Sequence, residues 1–467
     1  MPLGDVAPEI ALLLTAVAIL LAAGFAPRAW QWLGAPAALA GIALAATLLA
    51  GQVGMRTLTF SGVWAIDGAS VWARMLILGA TAVAVVMTPP WLRTDRRHGE
   101  YYAILLLSAL GAMALAAAAD LLQLLIAVLL SSVTGYTLAA YHRDWGPSVE
   151  AGMKYFLIGA FANAILAIGV ALMVGTLQAT GFAEIAGAAP GALSPLALTG
   201  LALTVAGVAF KLGAVPFHSW MPDVAEGAPA PAAAFLTVVP KIGAAVLLLR
   251  LVDLFPADMA AIRPLVALLA VATMTLGNAA ALWQDDVRRM LGWSSVSQSG
   301  YALMAVCVVG RADEAAAALL VFLLGYAVAN LAAFAVVTHL RGRTARADYA
   351  GLAGERPLAA LVLVTSFLSL VGIPPLAGFI GKLALFAVTI EGGYAWLAVV
   401  AVLNTVLSLY YYLRVLGPAY FAAAPGRVAT LGRWTLVAMA ASGALVAGFG
   451  LAAEASFAAL SGIRLAP

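Results

Sequence analysis

All four lysines of this 467-residue chain, Lys154, Lys211, Lys241 and Lys382, fall inside long apolar runs, and the cations of the connecting segments are arginines. A lysine within the hydrocarbon of a bilayer costs about 2.5–3.5 kcal/mol on the insertion scale. Lysine earns a place there by its chemistry: a suitable environment lets it bind and release a proton near neutral pH, whereas arginine stays protonated. Four such groups at membrane depth read as a proton relay, given polar neighbours and water to join them. The competing reading is that each lysine snorkels or forms a structural ion pair. That reading is strongest for Lys154, which lies near the start of its run and follows Glu150 by one helical turn on the same face. Lys211 and Lys241 lie deep in theirs, and Lys382 follows Pro374 and Pro375. His218 could shuttle protons beside them or serve as a structural hydrogen bonder. His98, His142 and His339 fall at run ends and are expected to be solvated. Arg74, Arg250 and Arg414 are expected to be interfacial.

The elements that must position these groups are membrane-spanning helices. The chain is 64% hydrophobic and 10% charged, where soluble domains carry about 25% charged residues. Apolar runs of about 20 residues, the length of a spanning helix, recur from end to end. Fourteen spans are expected, near 8–25, 33–51, 67–89, 101–118, 120–141, 151–176, 195–221, 229–253, 262–284, 290–310, 314–340, 357–390, 394–422 and 430–460. Asp5 and Glu9 precede the first run in place of a basic n-region, so it reads as a retained helix. The lone Cys307 excludes a disulfide framework and a cysteine-ligated cluster within the chain. The basic balance is spread over short loops with no aromatic interleaving, so no nucleic acid partner is expected. No metal-ligand spacing and no strand followed by a phosphate-binding loop is found, so no cofactor is expected in this chain.

The arginines orient the spans. Connections on one side carry Arg28, Arg93, Arg96, Arg97, Arg143, Arg288, Arg289, Arg341, Arg343, Arg346, Arg356, Arg427 and Arg433; the other side carries Arg56, Arg263, Arg311 and Arg464. The positive-inside rule places the richer side in the cytoplasm and both termini outside.

Two spans are abnormal. The run from Leu358 to Ile390 has Lys382 as its one charge. As a straight helix it would reach about 50 Å against a hydrocarbon core of about 30 Å. Gly372-Ile-Pro-Pro375 should break it. The seventh span carries Pro216 near its end, with Pro222, Pro229 and Pro231 beyond. Interrupted helices at corresponding positions in two halves point to an inverted-repeat transporter core; ordinary proline kinks are the plainer alternative.

The surroundings of the lysines resemble the antiporter-like subunits of respiratory complex I, subunit N in particular. Phe210-Lys-Leu-Gly-Ala-Val-Pro-Phe-His-Ser-Trp-Met-Pro-Asp223 is similar to their seventh-helix signature, and Pro240-Lys241 to the eighth-helix lysine. Gly372-Ile-Pro-Pro-Leu-Ala-Gly-Phe-Ile-Gly-Lys382 resembles their broken twelfth helix, and Ser148-Val-Glu-Ala-Gly-Met-Lys-Tyr-Phe156 the start of helix six. Pro8-Glu9, Arg289-Met-Leu-Gly-Trp-Ser-Ser-Val-Ser-Gln-Ser-Gly-Tyr301 and Asn404-Thr-Val-Leu-Ser-Leu-Tyr-Tyr-Tyr-Leu-Arg414 resemble subunit N. No lateral helix follows the last span, unlike the subunit L type. The resemblance implies an all-α polytopic membrane fold of about 14 helices in a single domain over 1–467. Two inverted five-helix repeats, 100–254 (helices 4–8) and 261–422 (helices 9–13), would each hold a broken helix, seven and twelve. It further implies a proton path in which Lys211 is modulated by a helix-five glutamate, Lys241 relays and Lys382 passes the proton onward. Two positions depart from the pattern. The glutamate position is Leu129, and Gln298 stands where histidine is frequent. Lys211 is therefore expected to have no carboxylate partner from its own chain, so that a neighbouring subunit supplies one or pumping is weak.

The resulting expectation is a proton-translocating membrane-arm subunit of an NADH:quinone oxidoreductase in a bacterial inner membrane. Its partners would be other membrane-arm subunits and the bilayer, with NADH and quinone used elsewhere in the complex. A cation/proton antiporter subunit and a structural paralogue with impaired pumping remain as alternatives.

Overall fold

The computed structural model describes residues 2–466 apart from 96, 189–192, 257–261, 425 and 427–428; Arg96 and Arg427 of the arginine bias thus lie outside the described residues. The order begins with α1 (Ala7–Phe25), α2 (Gly34–Ala50), α3 (Gly68–Trp91), α4 (His98–Ala116), α5 (Leu121–Ala139) and α6 (Gly146–Leu177). The short α7 (Phe182–Ala188) leads to α8 (Pro195–Leu212), α9 (Trp220–Gly227) and α10 (Ala230–Asp253). Next come α11 (Ile262–Ala281), α12 (Val287–Val308), α13 (Ala315–His339) and the one-turn α14 (Leu352–Glu355). α15 (Pro357–Val371), α16 (Ala377–Glu391), α17 (Ala395–Phe421), α18 (Arg433–Leu451) and α19 (Ala453–Leu460) complete the chain. Among the described residues, twelve helices are long and apolar enough to cross a membrane, and the chain is a multi-pass membrane protein. α12 is not among the twelve, because serines, Gln298 and two arginines dilute its apolar content.

α10 and α13 are buried on nearly every face and form the centre of the bundle. A helix apolar all round is stable in a protein core or as a membrane span, and the outer helices α1, α2 and α6 keep one exposed apolar face. The connections sort into two faces. On one, Gln52 reaches the Asp5 carbonyl, Arg56 the Leu465 carbonyl, and Gly462 N–H the Glu314 carboxylate. On the other, Arg341 reaches the Trp91 carbonyl, Leu431 N–H the His339 carbonyl, and Arg346 pairs with Asp285.

One backbone motif occurs twice, once on each face. Asp120 caps α5 while Leu121 N–H donates to Thr180 O at 2.9 Å and Phe182 N–H to Ala119 O at 2.8 Å. Asp286 caps α12 while Val287 N–H donates to Thr344 O at 2.7 Å and Arg346 N–H to Asp285 O at 2.7 Å. Side-chain caps satisfy donors that the first helical turn leaves free.

Three expectations are corrected. A two-stranded hairpin, β1 (Thr57–Thr59) and β2 (Trp64–Ile66), stands where no strand was expected, turned by Phe60, Ser61 and Gly62, all at positive φ. His98 and His339 are buried rather than solvated, because Tyr102 and Thr435 hydrogen-bond their rings at 2.7 and 2.8 Å. Arg74 and Arg250 are buried rather than interfacial, each beside a carboxylate.

Candidate functional site

Both abnormal spans are interrupted where glycine and proline place the breaks. α8 ends at Leu212, and Gly213 takes the left-handed conformation (φ +69°) that glycine adopts freely, before α9 resumes at Trp220. α15 ends at Val371, with Gly372 at φ +99°, and α16 resumes at Ala377. Pro216 lies in the first gap, Pro374 and Pro375 in the second. A helix end leaves its last carbonyls without helical donors. In a membrane such groups must find partners inside the protein.

α12 supplies one at each break. Ser299 Oγ donates to Leu212 O at 2.5 Å, and Gln298 Nε2 donates to Leu370 O at 3.1 Å. One helix thus takes a freed carbonyl from each break. The carbonyl of Val371 goes to Lys382 itself, whose Nζ donates to it at 2.8 Å and lies 4.4 Å from the Tyr301 ring centroid. Lys241 Nζ donates to Ser295 Oγ at 2.9 Å and to the Ser295 carbonyl, with the Tyr326 ring 4.7 Å away. Ser299 Oγ also lies 3.1 Å from Ser295 O, so the end of α8 joins the Lys241 surroundings through two serines. Pro240, just before Lys241, cannot donate a backbone hydrogen bond within α10. In that turn the Thr237 carbonyl accepts from Tyr326 OH at 2.8 Å and Ser295 Oγ at 3.3 Å. Asn330 Nδ2 donates to Thr237 Oγ1 at 2.9 Å. Beyond, Ser294 meets Tyr412, and Tyr411 OH donates to Asn278 Oδ1 at 3.0 Å.

Lys211 sits in the last turn of α8, one residue before Leu212. Its Nζ donates to Tyr155 OH at 3.4 Å and lies 5.3 Å from the Phe210 ring centroid. Tyr155 is held by stacking on Trp220 at 4.0 Å. All three lysines are almost fully buried. Among the described residues, no carboxylate lies within 4.0 Å of any of them.

The remaining site candidates lie elsewhere. Lys154 is 44% exposed and pairs with Glu150 at 2.7 Å and Asp223 at 3.3 Å. Asp223 also pairs with Arg289 at 2.6 Å, which reaches Glu226 at 2.7 Å. This network ties α6, α9 and α12 together at one face and does not join the three buried lysines. His218 lies in the first gap, with its ring 5.7 Å from that of Trp293. Leu129 is 49% exposed, on an outward stripe of α5 with Leu122, Ile126 and Val133. Sequence reasoning singled out the lysines and breaks but gave no role to Ser295, Ser299 or Tyr326; the serine-rich composition of α12 was the available signal.

The family described as NADH:quinone oxidoreductase/Mrp antiporter, TM matches residues 118–408, a range that holds both breaks and the three buried lysines. NADH-quinone oxidoreductase subunit N 1 of Streptomyces griseus subsp. griseus is 44% identical over 417 residues, 88% of each chain. NADH-quinone oxidoreductase subunit N of a Mycobacterium species is 42% identical over 402 residues, 86% of this chain and 85% of that one. A chain of respiratory complex I from Thermus thermophilus, solved with bound aureothin, superposes with a TM-score of 0.85 at 32% identity, over 98% of this chain and all of that one. The chain belongs to the NADH:quinone oxidoreductase/Mrp antiporter membrane family, among its subunit N members.

Proposed function

We propose that this chain is a proton-translocating membrane-arm subunit of an NADH:quinone oxidoreductase, with Lys211, Lys241 and Lys382 as the groups that hold and pass the proton. The observation that carries this reading is α12, which binds a freed carbonyl of each break and, between them, Lys241. A movement of α8 therefore changes what the Lys241 surroundings can hydrogen-bond, and a movement of α15 releases Gln298 on the same helix. Hydroxyls suit both protonation states of a lysine, because they accept from an ammonium and can donate to an amine. Tyr155 OH and Ser295 Oγ stand in those positions beside Lys211 and Lys241. His218, in the first gap, is a further relay candidate, whereas Lys154 and Glu150 belong to the ion-pair network that fixes helix ends.

In this reading the chain crosses the bilayer fourteen times, with α8–α9 and α15–α16 each making one broken crossing and α18–α19 the last. Two inverted repeats, 100–254 and 261–422, are supported by the capped bridges at Asp120 and Asp286, which have the same pair of backbone bonds on opposite faces. The arginine bias sets both termini outside the cytoplasm of a bacterial inner membrane. The chain holds no redox centre of its own. NADH oxidation and quinone reduction take place in partner subunits, and neighbouring membrane-arm subunits flank it.

Lys241→Met in the complex reconstituted into proteoliposomes tests the proposal. The share of protons moved through this subunit is expected to be lost while the complex still assembles. Full proton stoichiometry in that variant would leave the chain a structural role only.

A further inference from the structure

Two cavities adjoin at the arginine-rich face, away from the lysines. The first is polar, about 550 Å³, and is bounded by Arg28, Arg97, Arg143 and Arg341, with Asp95 and Asp144 as its carboxylates. Four guanidinium groups against two carboxylates leave a formal excess of positive charge. Among the described residues, none of these arginines forms an ion pair within 4.0 Å. The Asp95 carboxylate accepts the Arg97 backbone N–H at 2.8 Å instead. One wall is a fixed stack: Arg341 lies 4.7 Å from the Trp91 ring centroid, and His142 stacks parallel to that ring at 6.4 Å.

The second cavity is an apolar groove of about 460 Å³ along α1 and α2, running from Thr15 and Ile19 to Ala26 and Trp30. Ala26 and Trp30 line the groove while Arg28, between them, lines the polar cavity; Gly99 lines the groove and Arg97 the polar cavity. The two spaces therefore share a wall. From Thr15 to Ala26 the groove follows α1 for about 16 Å, roughly the depth of one leaflet of a hydrocarbon core about 30 Å thick. Trp30 is 65% exposed at the junction, the level at which tryptophans anchor membrane proteins.

We propose that the two cavities form one site for an anionic phospholipid, with its phosphate among the arginines and an acyl chain in the α1 groove. The excess positive charge selects a net-negative headgroup over a zwitterionic one, whose ammonium the arginines would repel. Basic pockets on the cytoplasmic side recognise lipid phosphates in this way. The bound lipid would also tie the peripheral α1–α2 pair to the body, because the arginines come from four connections distant in sequence.

Retention of phosphatidylglycerol by the purified, delipidated complex, counted by native mass spectrometry, tests the site. Arg28→Gln with Arg143→Gln removes two exposed side chains and is expected to weaken retention about thirty-fold, from about 1 kcal/mol per arginine. Ala22 lines the groove midway along α1, and Ala22→Trp, which blocks it and leaves every arginine, is expected to lower retention as well. Arg56→Gln with Arg464→Gln, on the opposite face, should change nothing, and phosphatidylcholine should be held more weakly throughout. Unchanged retention in both site variants would overturn the proposal, as would equal retention of phosphatidylcholine by the native complex. Competition by inorganic phosphate with no effect of Ala22→Trp would also overturn it, by showing a site for a free anion alone.

Discussion

Buried cations are handled in opposite ways in two regions of this molecule. At the face that carries the termini, Arg74 meets Glu9 at 3.0 Å and Gln52 at 3.0 Å, and Arg250 grips Asp67 through two bonds of 2.8 and 3.1 Å. Around α12, Lys211, Lys241 and Lys382 are equally buried but have hydroxyls, carbonyls and ring faces in place of carboxylates. An arginine paired bidentately with a carboxylate is a fixed charge that holds elements in register. A lysine among neutral oxygens keeps its proton exchangeable, since no counter-charge locks it on. In these two regions the residue type and the partner type change together; elsewhere the buried Arg263 and Arg288 donate to backbone carbonyls, and there it is arginine's permanent charge alone that keeps them fixed cations.

Breaking the arginine side should have the largest effect. Burial pushes the Asp67 carboxyl up, and the Arg250 guanidinium together with the backbone N–H groups of Ser70 and Ala466 outweighs this, holding it below the ordinary carboxylate range. Asp67→Asn leaves Arg250 buried without its counter-charge, a change that destabilises by about 3–5 kcal/mol. A marked fall in the unfolding temperature of the purified complex is expected, with unchanged proton stoichiometry in what still assembles. Because the folded-state value is depressed, the pair contributes fully above the unfolded carboxylate value of about 3.9. That contribution is lost as pH falls through the depressed value. The mutant should therefore lose a stability advantage present at neutral pH and differ less from native in strong acid. Lys241→Met should do the reverse, sparing the unfolding temperature and removing transport. If Lys241→Met unfolded the complex as Asp67→Asn does, the distinction between the two regions would fail.

A smaller effect is expected at Ser299. Its hydroxyl contacts both Leu212 O and Ser295 O and so connects the first break to Lys241. Ser299→Ala removes a hydrogen bond with a net contribution of about 1 kcal/mol, which corresponds to roughly fivefold in rate if the link is used in turnover. Proton-coupled quinone reduction should slow by that order, and a turnover equal to native would remove Ser299 from the path.

The multi-pass helical character, the breaks and the deep lysines were legible in the sequence because each is a local signal: recurring apolar runs, a glycine with prolines beyond it, a charge without company. The pairing of Arg74 and Arg250 was not, because their carboxylates lie 65 and 183 residues away in the chain. The role of α12 was hidden for a related reason. Ser299 is an ordinary small residue until the end of α8, remote in sequence, presents a carbonyl to it, and Gln298 an ordinary amide until the end of α15 does. The hairpin at Thr57–Ile66 escaped notice because its strands are three residues each and its turn uses left-handed Phe60 and Ser61.

Leu129 sharpens the comparison from the other side. Its position corresponds to that of a glutamate in the resemblance drawn from sequence, which suggested a lysine deprived of its modulator. The side chain instead belongs to the outward apolar stripe of α5, with Leu122, Ile126 and Val133. The Lys211 amine is met by Tyr155 of α6, and Tyr136 is the α5 side chain that packs on that ring, at 4.8 Å. Tyr136 lies seven residues on, on nearly the same side of α5, and meets Tyr155 through the length of its side chain; a carboxylate at position 129 would start at the outer surface of the chain, about 10 Å along the helix from Tyr136. Against lipid, a carboxylate on this stripe would cost about 2.5–3.5 kcal/mol by the scale for an acidic residue at a helix centre. Leu129→Glu is expected to lower the yield of assembled complex modestly and to leave the proton stoichiometry of the assembled fraction unchanged. A raised stoichiometry would show that the outer stripe of α5 communicates with Lys211, and that the absence of a carboxylate at this lysine is a deficit rather than its working arrangement.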